Sequence, residues 1–515
     1  MRWRHSIAVA IALLALALAG CTETTRGSVP SPRNQKIADY AVTAYADDAI
    51  ETLADLVQFA TYHPPDLIYT ENPEFQAMRS YLENKATELG FDFEDHGPLV
   101  VIGLGESIDR LGIVAHGDVQ PADPTKWATD PFTLDTTSEP GRLVGRGSED
   151  DKGPLACALY AMKAIQDRRV PLARRIELIV AWTEEWNWDP IRELLATWEP
   201  PKINVAFDAN YPVVVAEKGW GQIKITFPKV QADGDPAASE AVLESFTGGS
   251  FLSQVPEDAT AEISSPNADL ESALRTAAKE HPAVDFTFSL RGDRLLVTAR
   301  GLAAHSSVPE NGRNALTHLA ALLGRLDWPP TPAAQVVNFT NDLVGTGDYA
   351  EKFGGLAHSD SFMGRLTLTL ATVKVSDSGD DDVVAGLSFR RPLGRTREEI
   401  ETTIQTAIGQ WKESSGTSGL SFETRVFDPY SATNAPQVPI LLDVFRHYTG
   451  VLDAQPVAMG GGTNASLLPN GVSFGPSMPG EVYTGHTEHE FMTRDQFELN
   501  LKMYTAALAQ LAGAS

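Results

Sequence analysis

The sequence is poor in cysteine and in positive charge. Its two cysteines, Cys21 and Cys157, argue against a disulfide framework, and Cys157 lies in an apolar helical stretch where we expect a buried, unreactive thiol. The 41 lysines and arginines are outnumbered by 68 aspartates and glutamates, which gives a net charge of −27. Binding to nucleic acid needs clustered Lys and Arg, so we expect no nucleic-acid partner. An acidic surface that keeps the protein soluble explains the charge.

The apolar run from Ile7 to Ala19 is too short to cross a bilayer. It follows Arg2 and Arg4 and leads into Leu-Ala-Gly-Cys, which resembles the bacterial lipobox. This resemblance implies cleavage before Cys21 and acylation of Cys21. A plain signal peptide or a short anchor is the alternative. We expect an exported protein held to the extracytoplasmic face of the cell membrane, or in the periplasm, by its lipid anchor only.

The length of 515 residues predicts two domains. Strand-like runs alternate with the helical stretch from Pro154 to Arg168, which predicts an α/β domain with a mostly parallel sheet. After Gly219 the pattern changes to alternating strand-like segments with two helices, Ser265–Glu280 and Asn314–Leu326, which indicates an inserted α+β domain. The predicted organisation is a signal peptide (1–20), a tether (21–34), a main domain in two parts (35–219 and 431–515) and the insertion (220–430).

Five candidate metal ligands lie at or just beyond the ends of apolar runs: His116, Asp150, Glu185, Asp208 and His486. Ligands gather beyond the carboxyl ends of parallel strands, where three of the five are expected. Two histidines and three carboxylates suit two adjacent zinc-like ions when one carboxylate bridges them. Asp118 and Glu184 lie within two residues of a ligand, where orienting and general-base groups belong. The set predicts a metal-dependent enzyme.

Taken singly, most of these motifs have ordinary structural explanations. A lone His-x-Asp is more often a structural hydrogen bond, and Asp208 alone reads as a turn aspartate. The segment Gly145–Gly153 (GRGSEDDKG) is more specific, because its glycines allow close approach and the helix that follows presents its N-terminus. His489, three residues after His486, is a competing ligand. The Gly-rich stretch from Gly460 lacks the spacing of a phosphate loop.

Together the segments resemble the dinuclear zinc peptidases that include PepV-type dipeptidases, carnosinase, succinyl-diaminopimelate desuccinylase and glutamate carboxypeptidase. The matching segments span His116 to Glu490 and include HGDV, GRGSEDDKGP, TEE, FDANYPVVVAEKG, AHSSVPENGRNA and FRRP. VPEDA, AEKG and FGPSMPGE are similar to the PepV type in particular. The resemblance implies an α/β zinc-peptidase catalytic domain with a mostly parallel sheet, and makes residues 220–430 an α+β lid domain.

The resemblance also implies which residue binds which metal. His116 and Asp208 would bind one zinc ion, Glu185 and His486 the other, and Asp150 would bridge the two. The expected cofactor is therefore two Zn²⁺ per chain, with Mn²⁺ or Co²⁺ as alternatives.

Further roles follow from the same resemblance. Glu184 would be the general base, and Asp118 would support the first histidine ligand. In the lid, His305 would polarise the scissile carbonyl, and Arg390, which has Arg391 beside it, would hold the substrate carboxylate. The implied function is a monomeric, metal-dependent dipeptidase that hydrolyses the peptide bond of dipeptides with a water held between two zinc ions.

Two alternatives remain. An N-acyl-amino-acid amidohydrolase or carboxypeptidase would keep every metal ligand on the same fold. A solute-binding lipoprotein without catalysis would have no need of Glu184 beside a complete ligand set, which argues against it.

The chain departs from the family pattern at three places, all of which affect the expected substrate pocket. Ser253 replaces an asparagine, Asn464 and Ser466 replace tyrosine and arginine, and Trp186-Asn187-Trp188 follows the TEE motif where many relatives have small residues.

Overall fold

The structure, a computed structural model, describes residues 29–64, 67–229, 241–376, 381–417 and 419–514. The predicted signal peptide and the acylation site Cys21 lie outside these ranges. Contacts between residues divide the chain into two compact units. The domain boundaries expected from the sequence are a separate prediction, which this division does not test. The first unit comprises Met1–Trp186, Pro436–Gln455 and Pro476–Ser515, and the second Asn187–Ala435 and Pro456–Gly475.

The elements are numbered along the chain within the described residues. The helices are α1 Pro32–Val57, α2 Pro73–Leu89, α3 Lys152–Asp167, α4 Asp189–Leu194, α5 Ala268–Ala277, α6 Ala315–Leu323, α7 Pro332–Phe339, α8 Arg397–Ser415, α9 Val438–Thr449 and α10 Arg494–Ala512. The strands are β1 Asp92–Asp95, β2 Leu99–Leu104, β3 Arg110–His116, β4 Arg142–Val144, β5 Arg175–Ala181, β6 Ile203–Ala206, β7 Ala209–Asn210, β8 Val214–Glu217, β9 Gly219–Phe227, β10 Val242–Gly248, β11 Gln254–Val255, β12 Asp258–Ser264, β13 Asp285–Arg291, β14 Arg294–Arg300, β15 Ala304–His305, β16 Ser359–Asp360, β17 Gly364–Arg365, β18 Thr367–Val375, β19 Val383–Arg391, β20 Ser421–Val426, β21 Tyr430–Ser431, β22 Val457–Met459, β23 Gly471–Ser473, β24 Pro476–Ser477 and β25 Phe491–Thr493.

The first unit contains the strand order β1-β2-β5-β3. β3 and β5 are parallel, with His116 opposite Ala181, whereas β2 pairs antiparallel with both β1 and β5. The α/β class predicted from the sequence is confirmed, and antiparallel pairing is more extensive than the sequence indicated. Because β3 and β5 run in the same direction, the residues after His116 and after Ala181 emerge at one edge of the sheet.

Three helices of the first unit, α1, α3 and α10, pack against one another. The buried side of α3 includes Cys157, in agreement with the expected buried thiol. The C-terminal part of the chain contacts the rest of the first unit at two places. Helix α10 packs on α1 and α3. Strand β25 pairs antiparallel with β4, which places Met492 opposite Leu143. This pairing brings the segment before α10 beside the segment that precedes the GRGSEDDKG motif.

The second unit is dominated by an eight-stranded sheet in the order β13-β14-β12-β10-β18-β19-β9-β20. Its pairings are antiparallel, and alternate residues of its strands join α6, α7 and α8 in one apolar core. A smaller group of strands in this unit follows the order β6-β23-β8-β21. β6 and β23 are parallel, so the segment after β6 emerges at the carboxyl edge of a parallel pair. Among the residues described, no helix has the length and apolar character to cross a membrane.

Candidate metal centre and active site

His116, the last residue of β3, is buried and has both ring nitrogens engaged. Its Nδ1 lies 2.9 Å from the backbone oxygen of Asp118, and its Nε2 lies 2.8 Å from Asp150 Oδ1. A backbone oxygen can only accept, so Nδ1 carries a proton, and Nε2 donates to Asp150 in the charged ring and becomes the metal-binding nitrogen in the neutral ring. Fixing the tautomer in this way is what a metal-binding histidine requires.

Asp150 faces two imidazoles at once, one with each carboxylate oxygen. Oδ1 is beside His116, and Oδ2 lies 3.1 Å from His486 Nε2. The hydroxyl of Tyr483 also donates to Oδ2. Burial would raise the pKa of Asp150, but the hydrogen bonds with His116 and His486 outweigh it and hold the pKa well below its usual range. An ionised carboxylate whose oxygens point at separate nitrogen donors has the geometry of a bridging ligand.

His486 also meets Glu185, whose Oε1 lies 2.9 Å from His486 Nε2. The ligand atoms that Asp150, Glu185 and His486 offer all lie within 4.8 Å of one another. Gln120 fixes Glu185 by donating from Nε2 to its other oxygen at 3.0 Å. Two carboxylates and an imidazole that converge in this way fit a divalent cation, and the mixed nitrogen and oxygen donors suit zinc.

His489, the competing ligand in the sequence, is turned away from this cluster. Its Nε2 contacts Glu139, and about half of its side-chain surface is exposed. His486 is therefore the histidine that joins the two carboxylates.

Asp118 orients the loop that carries the two glutamates. Its Oδ1 accepts the N–H of Glu184 at 3.2 Å, and its Oδ2 accepts the N–H of Glu185 at 3.0 Å. His63 Nε2 lies 3.3 Å from Oδ2. Burial opposes ionisation of Asp118, but hydrogen bonds with His116 and His63 lower its pKa to about 2. The sequence predicted that Asp118 supports His116, whereas its contacts with the glutamate loop and with His63 were missed.

A second carboxylate, Glu149, holds the loop that carries His486. It accepts hydrogen bonds from Ser477 Oγ at 2.8 Å, from both Thr484 N and Thr484 Oγ1 at 2.7 Å, and from Gly485 N at 3.2 Å. Burial raises the pKa of Glu149 to about 7, although the bonds from Thr484 and Ser477 oppose the shift. His486 itself has φ 65°, a left-handed backbone conformation that a tightly fixed loop can impose.

Glu490, which is fully buried, connects the segment after His486 to the loop that carries Asp150. One of its oxygens accepts the backbone N–H groups of Gly147, Glu149 and Asp150, each at 3.0 Å, and the other accepts Arg146 Nη1 at 2.6 Å. The Asp150 loop and the His486 loop therefore hold each other through the half-buried Glu149 and the buried Glu490. Sequence reasoning gave neither Glu149 nor Glu490 a role, because their donors lie more than 300 positions away.

In the second unit, Asp208 follows β6 by two residues and is half-buried. Near it in the chain, Glu217 is buried at the end of β8 and accepts hydrogen bonds from Thr463 N at 3.1 Å and Thr463 Oγ1 at 2.8 Å. Burial raises the pKa of Glu217 to about 7, with the hydrogen bonds from Thr463 opposing the shift. A Cβ at Gly462 would lie 3.6 Å from Glu217 Oε2, an ordinary contact distance, and 3.3 Å from the Trp188 ring, so the tighter contact is with the indole. The sequence did not identify Glu217.

His305 lies on β15, paired with Gln254 of β11. The N–H of Ser307 donates to His305 Nδ1 at 3.2 Å, and Ser307 Oγ lies 2.6 Å from the same nitrogen. An Nδ1 that accepts leaves the proton of the neutral ring on Nε2. This tautomer is the one that donates a hydrogen bond to a carbonyl oxygen.

The contacts of Arg391 distinguish it from its neighbour Arg390. Arg391 donates from Nε to Phe427 O at 2.9 Å and from Nη1 to Arg395 O at 2.8 Å, and it pairs with Asp428. Its guanidinium is thus committed to holding its own unit together. Arg390 precedes it on β19 and so leaves the opposite face of the strand.

Residues 112–510 match Peptidase family M20/M25/M40, and the chain belongs to this family. It is a metallopeptidase, a hydrolase that acts on peptide bonds. The resemblance to this family of metal-dependent peptidases given by the sequence motifs is confirmed.

Among curated proteins, the chain is 29% identical over 420 residues to the putative dipeptidase YtjP of Bacillus subtilis, covering 80% of this chain and 85% of that protein. It is also 29% identical over 440 residues to a Beta-Ala-Xaa dipeptidase of Lactobacillus delbrueckii subsp. lactis, with 84% and 89% covered. Among solved structures, human carnosine dipeptidase 1 matches with a TM-score of 0.56 at 15% identity, over 93% of this chain and 100% of that chain. This last similarity shows the fold.

Proposed function

We propose that the protein is a dipeptidase that uses two zinc ions, and that His116, Asp150, Glu185, Asp208 and His486 bind them. The observation that carries the proposal is the position of Asp150, whose two oxygens face different histidines. Similarity to proteins called dipeptidases supports the choice of dipeptides as substrates.

The chemistry assigned to the chain's own residues begins at Glu184. Its carboxylate takes a proton from the attacking water and later delivers it to the leaving amine. His305 donates from Nε2 to the carbonyl oxygen as negative charge develops there. Arg390 pairs with the C-terminal carboxylate of the substrate, which fixes the scissile bond in register. Zinc, when bound, supplies Lewis-acid polarisation.

We also propose that the enzyme is exported and that acyl chains on Cys21 attach it to the extracytoplasmic side of the cell membrane or to a periplasmic membrane surface. The support is the short apolar run followed by Leu-Ala-Gly-Cys. The proposed working form is a monomer.

The dipeptidase proposal is tested by a hydrolysis screen. Purified protein is assayed on free dipeptides, the same dipeptides with an acetylated amino group, C-terminal amides, tripeptides and N-acyl amino acids, each with and without a chelator. We expect cleavage of free dipeptides only, abolished by the chelator and restored by Zn²⁺. Cleavage of acetylated dipeptides or N-acyl amino acids would favour an amidohydrolase or carboxypeptidase, and equal rates on free, acetylated and amidated substrates would overturn the proposal.

A further inference from the structure

A large aromatic side chain is exposed directly beside the glutamate pair. Trp186 follows Glu185 in the chain and keeps 59% of its surface accessible. One face of its indole stacks on His63, with ring centroids 4.9 Å apart and planes 16° from parallel. The contact with His63 covers only one face of the indole. Packing against His63 therefore does not account for the remaining exposed surface of Trp186.

The imidazole beneath the indole is held by several contacts. His63 Nε2 lies 2.9 Å from Trp182 O and 3.3 Å from Asp118 Oδ2, which fixes the imidazole to the end of β5. The imidazole also packs on Phe75, with centroids 4.9 Å apart, and Phe75 meets the Trp182 ring edge-to-face at 6.3 Å. Trp186 is therefore the outermost of a series of aromatic rings that continues through His63 and Phe75 to Trp182. Phe75 and Trp182 are buried.

The same series of rings is tied to the catalytic loop. Asp118, which contacts His63 with Oδ2, accepts the N–H groups of Glu184 and Glu185. Consecutive Cα atoms lie about 3.8 Å apart, so the indole is attached within one residue of a proposed metal ligand and two of the proposed base. A substrate side chain that reaches the indole therefore lies close to the scissile bond.

Resting on the proposed dipeptidase function, we propose that Trp186, seated on His63, is a subsite for the side chain of the dipeptide's N-terminal residue and selects aromatic or large apolar side chains. The N-terminal residue carries the scissile carbonyl, whereas the C-terminal residue is assigned to Arg390. A flat indole binds another ring or a branched aliphatic group by stacking and burial, and its stack on His63 reduces the cost of ordering it. An alanine side chain is too short to use this surface.

The test measures kcat/KM on Ala-Ala, Leu-Ala, Phe-Ala and Ala-Phe for the wild type and for Trp186→Ala. We expect the wild type to prefer Phe-Ala and Leu-Ala over Ala-Ala. In Trp186→Ala the ratio of Phe-Ala to Ala-Ala should fall on the order of 10-fold, the size of an aromatic contact together with its burial. The ratio of Ala-Phe to Ala-Ala should stay the same. Trp186→Phe keeps an aromatic face and should retain most of the preference.

Ile108→Ala is the matched control, because Ile108 is 95% exposed and precedes β3, at the end of that strand opposite His116. It should alter none of these ratios. An unchanged Phe-Ala to Ala-Ala ratio in Trp186→Ala would overturn the subsite, and so would an equal loss on all four dipeptides, which would mean that Trp186 only positions the glutamates. A wild type that cleaves no dipeptide would instead overturn the proposed function, and the subsite with it.

Discussion

His486 and Glu185 stand 301 positions apart in the chain, yet His486 Nε2 lies 2.9 Å from Glu185 Oε1. The contact depends on the return of the C-terminal segment to the first unit, where β25 pairs with β4. A cation site made from such distant segments is sensitive to each side chain and to the loops that carry them. The following predictions use that sensitivity.

His486→Ala should bind one metal fewer per chain and lose nearly all activity, because Glu185 and Asp150 would lose their shared nitrogen partner. Elemental analysis and the dipeptidase assay measure the two effects. His489→Ala is the control: the same residue type lies three positions on and contacts Glu139, so this variant should keep both metals and its activity. A fully active wild type with a single metal would contradict the two-ion proposal.

Glu184→Gln should keep both metals while kcat falls by about 10²-fold or more, the usual contribution of a positioned general base. Glu185→Gln should instead lose metal, since Glu185 is the residue beside His486. Metal content and kcat are measured on both variants. Loss of metal from Glu184→Gln with retention in Glu185→Gln would mean that the two roles are exchanged.

Glu149→Ala should weaken metal binding by about 10- to 100-fold, although Glu149 is not a proposed ligand. The substitution leaves the donors of Ser477, Thr484 and Gly485 without their acceptor and releases the loop that carries His486. Competition with a chelator measures the affinity. Glu149→Gln keeps one carbonyl acceptor and should restore part of it, whereas metal affinity equal to wild type in both variants would exclude a positioning role.

Arg390→Ala should reduce catalytic efficiency, whereas Arg391→Ala should reduce stability. Arg390→Ala should lose kcat/KM on free dipeptides and discriminate little between a dipeptide and its amide, because both changes remove one interaction. Arg391→Ala should lower the thermal unfolding temperature instead, since its guanidinium bonds Phe427 O and Arg395 O. Kinetics and thermal unfolding on both variants separate these effects, and an exchange of the two phenotypes would show that Arg391 is the substrate-binding residue.

Glu217→Gln should make the protein more stable above neutral pH. Burial raises the pKa of Glu217 from its usual 4.5 to about 7, so the folded state binds the proton more tightly and the wild type loses stability as the pH rises through this window. At pH 8 the variant should be more stable by up to about 3 kcal/mol, and near pH 4.5 the difference should vanish. The glutamine can still accept from Thr463 N and donate to Thr463 Oγ1. Urea unfolding at the two pH values measures the difference, and a pH-independent offset would contradict the assignment.

Much of the strand framework could be predicted from short apolar runs. The sequence runs RLGIVAHGDV, RIELIVAWTEE, RLTLTLATVKV and VVAGLSFR are rich in β-branched residues and bounded by turn residues, which predicts strands. In the structure they contain β3, β5, β18 and all but the last residue of β19. Helix α8 was missed, although Thr396 and Glu399 form a capping box that marks its start. Its buried residues Ile400, Ile404, Ala407, Ile408 and Trp411 recur at helical spacing, so this stripe and the capping box together were sufficient to locate the helix.

Site residues could be predicted only where the residues next to them in the sequence form a recognisable motif. Asp150 stands in a distinctive glycine-rich motif, so it could be singled out. His63 has no such context, and its role arises when the parallel pairing of β3 and β5 brings Asp118 and Trp182 O to its Nε2. The same is true of Glu490, whose donors are set by a strand pairing that no local pattern encodes.

The mutual hold of Glu149 and Glu490 has a consequence for biosynthesis. While the chain is still being translated, the Asp150 loop exists long before Glu490 and His486 are added. The loop can take its final form only when the last segment arrives, so hydrolysis begins only after nearly the whole polypeptide is available to fold. For the same reason, a single proteolytic cut between Ser477 and Glu490 would separate the two anchors of the segment that carries His486, and we expect it to lower activity while most of the core stays intact.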